Sequence, residues 1–94
     1  MTSGKPPPPD TTSVPKYRYE VLEIIYSSDK RFRALLLRDD RGLIHIACEN
    51  WDLSEWEHCG DSFWNPVGRG TTITDTLANA RKLAQERLIE LGAQ

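Results

Sequence analysis

The chain lacks several features that would assign it to a broad class of protein at once. Its 94 residues contain no uninterrupted apolar run of the about 18 residues that a membrane-spanning helix needs. Its first residues lack the apolar core of a secretory signal peptide. It has only two cysteines, too few for a disulfide framework. These absences predict a cytoplasmic protein with free thiols and no membrane partner.

The chain also lacks an excess of basic charge. Its formal net charge is −2, whereas proteins that bind nucleic acids usually carry a basic surface. The charges are unevenly spread, because residues 16–41 carry seven basic and five acidic side chains. Residues 49–61 carry five acidic side chains and no lysine or arginine. This distribution argues against a nucleic-acid partner and predicts a polarised domain that attracts a basic protein.

Proline is concentrated at one end of the chain. Residues 6–9 are four consecutive prolines, which favour polyproline II and prevent a helix. Residues 1–15 are therefore predicted to be a disordered proline-rich tail, with a proline-rich ligand for an aromatic groove as the alternative. Residues 16–94 are predicted to be a single small α+β domain, since about 80 residues suffice for one sheet and one or two helices.

Alternating apolar and polar residues predict an antiparallel β-meander. The apolar phase of the first strand changes near Val21 and Leu22, which indicates a β-bulge or a strand buried on both faces. Gly42 can adopt the positive φ of a tight hairpin turn between the second and third strands. The predicted strands span residues 17–26, 31–38 and 43–48, with a fourth near residues 62–67.

Two helices are predicted after the third strand. The long one spans residues 75–91 and begins at the N-cap Thr74, and a short one spans residues 51–58. The fold class is thus a two-layer α+β structure, in which a three- to four-stranded antiparallel meander is packed by one long C-terminal amphipathic helix. The predicted core comprises Val21, Ile24, Phe32, Leu36, Ile44, Ile46, Leu77, Ala80, Ala84 and Leu88.

Residues 48–64, here the tryptophan-acid segment, contain all three tryptophans of the chain. Tryptophan combines an apolar ring with an N–H group that needs an acceptor, so it is frequent at protein interfaces. The alternative is that the rings close a small core while the acids face water. Trp56 is the candidate for the core, because it follows Leu53 at helical spacing. The predicted partner-binding residues are Trp51, Trp64, Glu55, Glu57 and Asp61.

Metal binding and catalysis find little support in the sequence. His45 and Cys48 are three positions apart, so in a strand they point to opposite faces and make a poor zinc site. His58 and Cys59 are adjacent, which suits a catalytic dyad poorly, and the negative charge of the surrounding acids disfavours a thiolate nucleophile. Residues 68–70 resemble an anion-binding loop, but the nearby Asp75 would repel an anion. We expect a protein that is not an enzyme, with no catalytic residue, metal or cofactor.

The function predicted from the sequence is a small protein-interaction module with an unidentified protein partner of basic character. Self-association into a homodimer through an edge strand is a further prediction. The alternative is a nucleic-acid-associated regulator or an antitoxin-like small protein. A meander followed by an amphipathic helix resembles the element order of HicB-type antitoxins, but their Pro-Asp-Leu-Pro-Gly segment is missing here.

Overall fold

The computed structural model describes residues 6–12, 14 and 16–92, and of residues 68–71 it describes the backbone only. A four-stranded antiparallel sheet of order β1-β2-β3-β4 carries the long helix α2 on one face, which confirms the predicted fold class. None of the helices in the described ranges is long and apolar enough to cross a membrane. The elements are β1 Glu20–Tyr26, β2 Phe32–Arg38, β3 Ile44–Asp52, α1 Trp56–Cys59, β4 Phe63–Thr74 and α2 Leu77–Gly92.

Strand β1 contains the irregularity that the sequence indicates. Its pairing with β2 shifts between Val21 and Glu23, so the β-bulge is confirmed. The strand begins at Glu20, three residues later than predicted. Beyond the bulge Ile24 pairs with Leu35, on the face of the sheet that turns away from α2.

Helix α2 and one face of the sheet enclose the main hydrophobic core. Ala80 and Ala84 have no exposed surface, because their small side chains let the helix approach the sheet closely. Val21 and Ile24 were predicted to belong to this core. They lie instead on the other face, as their pairing with Leu37 and Leu35 shows. The buried residues of the core are Ala34, Leu36, Ile44, Ile46, Cys48, Ala80, Ala84 and Leu88.

The helix boundaries differ from the predicted ones because residues near them have alternative hydrogen-bond partners. Helix α2 begins at Leu77, and the Thr76 hydroxyl accepts a bond from the Asn79 amide at 3.3 Å. Thr74, the predicted cap, is the last residue of β4. Helix α1 is shorter than predicted, because the chain continues as β3 through Asp52 before it turns.

Strand β4 is longer than predicted, and its pairing with β3 is irregular. Residues 72–74 pair with β3 at one end, and residues 63–67 pair with it at the other, beyond a register shift between Ile46 and Cys48 of β3. The backbone of residues 68–71 lies within this strand. The candidate anion loop is therefore part of β4, and its side chains lie outside the described residues.

The face of the sheet opposite α2, here called the second face, is also buried. Leu35 and Leu37 point to this face and are almost fully inaccessible. Asp10, Tyr17 and Tyr19, which lie before β1 in what is called the N-terminal segment below, contribute contacts to it. Residues 6–12 form no helix or strand. Part of the predicted tail, residues 1–5, 13 and 15, lies outside the described residues, and its disorder stays a prediction.

Candidate functional site

A buried ion pair occupies the second face. Arg33 on β2 and Glu49 on β3 stand opposite each other in the strand register, with Nε 2.7 Å from Oε1. Only 2% of the Arg33 side chain is exposed. The other oxygen of Glu49 accepts a hydrogen bond from the Tyr17 hydroxyl. Burial of Tyr17, together with this bond to Glu49, raises the pKa of the phenol, so Tyr17 remains a hydrogen-bond donor.

Trp64 is at the centre of an aromatic group beside this ion pair. The guanidinium carbon of Arg33 lies 4.3 Å from the centroid of its ring, which is cation–π geometry. The Trp51 ring meets it edge-on at 5.3 Å, and Tyr26 lies 6.0 Å away. Trp51 and Trp64 are direct partners in the pairing of β3 with β4. These four residues, Tyr26, Arg33, Trp51 and Trp64, are called the Trp64 cluster below.

The proline-rich end of the chain contacts the Trp64 cluster. The Trp64 indole N–H donates to the main-chain carbonyl of Asp10 at 2.8 Å, although 54 positions separate the two residues. Pro7 and Pro9, just before Asp10, are partly buried. Aromatic side chains that donate to the carbonyls of an extended proline-rich segment are a recurring mode of peptide recognition.

Two further donors in the Trp64 cluster have no hydrogen-bond partner among the described residues. They are the buried atoms Arg33 Nη1 and Trp51 Nε1. Most buried polar atoms in proteins are hydrogen-bonded, and an unmade bond costs about 1–3 kcal/mol. The cluster therefore has two N–H groups that can still donate hydrogen bonds, beyond the contacts among the described residues.

A second polar group holds the other end of the N-terminal segment to the sheet. The buried carboxylate of Asp39 accepts from His45 Nε2 at 2.7 Å and from the amide of Leu43 at 3.0 Å. The His45 hydrogen bond is the main reason why the pKa of Asp39 lies well below its ordinary value. The Tyr19 ring stacks on His45 with centroids 4.9 Å apart.

The structure separates the predicted partner-binding residues into two places. Trp51 and Trp64 lie together in the Trp64 cluster, and both are partly buried. Glu55, Glu57 and Asp61 are exposed in and beside α1. Their role in binding stays a prediction. Trp56 is also partly buried, and it is not among the residues of the core enclosed by α2.

Sequence reasoning missed Arg33, Glu49, Tyr17 and Tyr26 as members of one site. The predicted turn gave no signal for the ion pair, because a regular register across residues 39–42 pairs Arg33 with Cys48. The observed register differs by one residue, so that Arg38 pairs with Ile44 and Arg33 with Glu49. The contact between Asp10 and Trp64 has no corresponding local signal.

The cysteines lie apart from the Trp64 cluster. Cys48 is buried under α2, and this burial raises the pKa of its thiol, while nearby Arg87 opposes the shift. Cys59 is exposed at the end of α1. His45 lies on the second face and Cys48 on the other. Among the described residues, no three His, Cys, Asp or Glu side chains are placed to share a metal ion.

In comparisons with known proteins, no protein-family model, no curated protein and no solved structure matches the chain.

Proposed function

We propose that this protein is an interaction module that binds an extended peptide segment at the Trp64 cluster. The observation that carries the proposal is the hydrogen bond from the Trp64 indole to the Asp10 carbonyl. Because the acceptor belongs to the main chain, a segment of different sequence can offer the same group. Residues 6–10 thus serve as an internal example of the ligand.

The composition of the Trp64 cluster supports binding by another protein. Tryptophan, tyrosine and arginine are the residues that most often contribute the largest share of binding energy at protein interfaces. Their rings offer a large apolar area, and their N–H groups select for an acceptor. Trp51 and Trp64 are only partly buried, so part of each ring is accessible in the free protein.

The exposed acids of the tryptophan-acid segment extend the proposal to the charge of the partner. Glu55, Glu57 and Asp61 lie in and around α1, between the two strands that carry Trp51 and Trp64. Exposed charges at the rim of an interface accelerate the association of an oppositely charged partner. A ligand segment flanked by lysine or arginine would therefore associate faster. The proposal assigns no catalytic step and no cofactor to the chain.

Selection from a displayed random-peptide library on the full-length protein tests this function. We expect peptides that bind the wild type and a Trp56→Phe control equally, and that bind Trp64→Phe about tenfold more weakly. A tenfold weaker affinity corresponds to a loss of about 1.4 kcal/mol in binding free energy, which is typical of one hydrogen bond. Circular dichroism would confirm that both variants are folded.

Two outcomes would overturn the proposal. One is a selection that yields no binding peptide, and the other is a set of peptides that bind Trp64→Phe as tightly as the wild type. Binding to mixed oligonucleotides that disappears as the salt concentration rises would instead support the nucleic-acid-associated alternative.

A further inference from the structure

We infer that the ligand of the Trp64 cluster is a proline-rich segment of another protein, whose carbonyl oxygens accept hydrogen bonds from Arg33 Nη1 and Trp51 Nε1. This inference rests on the proposed function and names the ligand class of the same site. It requires a segment in polyproline II conformation, longer than the stretch that the chain itself provides at Trp64.

The first support is the kind of polar atom that the Trp64 cluster offers. Trp64 Nε1 donates to Asp10. The two buried polar atoms that have no partner in the described part of the chain, Arg33 Nη1 and Trp51 Nε1, are also N–H donors. A proline-rich segment in polyproline II has no internal hydrogen bonds, and its prolines have no N–H group. It therefore brings carbonyl acceptors and few donors. These carbonyl acceptors complement the N–H donors of the Trp64 cluster.

The second support is the charge balance. The Arg33 guanidinium is neutralised by Glu49 at 2.7 Å, and both side chains are buried. A phosphate or carboxylate ligand would approach the negative charge of Glu49 in a region of low dielectric, where repulsion between like charges is strong. A main-chain carbonyl accepts a hydrogen bond without adding a charge. The site thus favours a neutral acceptor.

The third support is the incomplete fit of the chain's own segment. Asp10 occupies the donor of Trp64 and leaves Arg33 Nη1 and Trp51 Nε1 unfilled. A partner segment that engages all three donors would displace it. The tethered segment competes with any ligand for the Trp64 donor, at an effective concentration on the order of millimolar. It therefore lowers the apparent affinity of weak ligands and favours ligands that engage all three donors.

Nuclear magnetic resonance of the indole N–H groups tests this directly. The three tryptophans of the full-length ¹⁵N-labelled protein give three indole signals, which report on Trp51, Trp56 and Trp64 separately. The probe is a blocked ten-residue polyproline peptide, with a glycine-serine peptide of equal length as control. We expect the Trp51 and Trp64 signals to shift saturably with polyproline, while Trp56 stays unchanged and the control peptide has no effect.

Variants then identify the role of the Trp51 donor. Trp51→Phe keeps an aromatic ring and removes the N–H group, so we expect polyproline to bind about tenfold more weakly, as for the loss of one hydrogen bond. The matched control Trp56→Phe should bind as the wild type does. If Trp51→Phe were poorly folded, the shift of the Trp51 signal in the wild-type protein would still decide the matter.

The outcomes separate this inference from the proposed function. Library peptides that depend on Trp64 but show no enrichment in proline, together with an unmoved Trp51 signal, would overturn the inference and leave the function standing. If no peptide depends on Trp64, both fail. If the Trp51 signal shifts with protein concentration in the absence of peptide, the ligand is a second copy of this chain, which also overturns the inference.

Discussion

The buried ion pair between Arg33 and Glu49 connects the two central strands with the N-terminal segment. Placing two charges in the interior is costly, and their attraction offsets this cost only when the geometry is good and the remaining polar atoms are satisfied. Glu49 meets that condition through its second bond, to Tyr17, whereas Arg33 Nη1 has no partner within the described ranges. Most of the energetic role of each residue is thus to neutralise the other.

Arg33→Met should strongly destabilise the protein, because it leaves the Glu49 carboxylate buried without its cation. We expect the free energy of unfolding to fall by about 3–5 kcal/mol in urea denaturation. The matched control is Arg38→Met, whose ion pair with Glu20 is about half exposed, and the expected loss is below about 1 kcal/mol. The double variant Arg33→Met with Glu49→Leu should recover most of the stability. Similar losses for Arg33→Met and Arg38→Met would contradict a structural role for the buried pair.

Asp39 should make the protein sensitive to acid. The His45 hydrogen bond lowers the pKa of Asp39 in the folded chain, so the folded state binds a proton less readily than the unfolded state. Its stabilising contribution is complete above the unfolded pKa of about 3.9 and is lost as the pH falls through the lower folded value. Asp39→Asn should therefore lose less stability between about pH 5 and pH 2 than the wild type does.

Chemical denaturation at a series of pH values measures this effect. Asp40→Asn is the matched control, because it removes a neighbouring exposed carboxylate, and it should keep the wild-type pH profile. An Asp39→Asn variant with that same profile would show that the bonds to His45 and Leu43 do not couple the folding equilibrium to proton binding.

At the scale of the elements, α2 depends on small side chains for its contact with the sheet. Ala80 and Ala84 are completely buried, one turn apart, in the same core as Ala34 and Leu36 of the sheet. This close approach leaves no room for larger residues, since protein cores are packed as tightly as organic crystals.

Ala84→Leu should force α2 away from the sheet. We expect a loss of about 1–3 kcal/mol in the free energy of unfolding, which is typical of an overpacked core. Ala78→Leu makes the same change on the exposed side of the helix and should leave stability within about 0.5 kcal/mol of the wild type. Thermal denaturation followed by circular dichroism would compare the two, and equal melting temperatures would argue against close packing at Ala84.

At the scale of the whole molecule, the sheet is buried on both faces by different means. Helix α2 covers one face through apolar contacts. On the second face, polar and aromatic contacts attach the N-terminal segment through Asp10, Tyr17 and Tyr19. The described residues of this segment form no helix or strand, and these side-chain contacts attach them to the sheet. We therefore expect the attachment to open while the sheet stays folded.

Tyr17→Phe should loosen the N-terminal segment while the sheet remains folded. The variant loses a hydrogen bond to the charged Glu49, and we expect a cost of about 1.5 kcal/mol because the phenol is only partly buried. Amides of β2 and β3 should exchange with deuterium faster, and the Trp64 indole signal should shift. Tyr19→Phe is the control, since it keeps the ring that stacks on His45 and the Tyr19 hydroxyl has no hydrogen bond to a described residue. A loss of α2 structure in Tyr17→Phe would contradict this separation of the two layers.

The local pattern of residues determined the elements and their order. Alternation with period two predicted the strands, and a stripe of apolar residues with period 3.6 predicted α2, because each periodicity matches the geometry of one backbone conformation. The change of phase at Leu22 predicted either a bulge or a strand buried on both faces, and the register shift between Val21 and Glu23 shows the bulge. Short turns between consecutive strands then determined the antiparallel meander and the fold class.

Tertiary structure alone decided the boundaries of α1 and the composition of the second face. Trp51 is compatible with a helix by local spacing, but pairing with Trp64 extends β3 through it. The contacts of Tyr17 with Glu49 and of Asp10 with Trp64 join residues 32 and 54 positions apart. No local preference encodes such contacts, because they form only after the sheet has brought Arg33, Glu49 and Trp64 together. The role of the tryptophans in binding stays a prediction from the sequence, and the folded sheet decided which side chains surround Trp51 and Trp64.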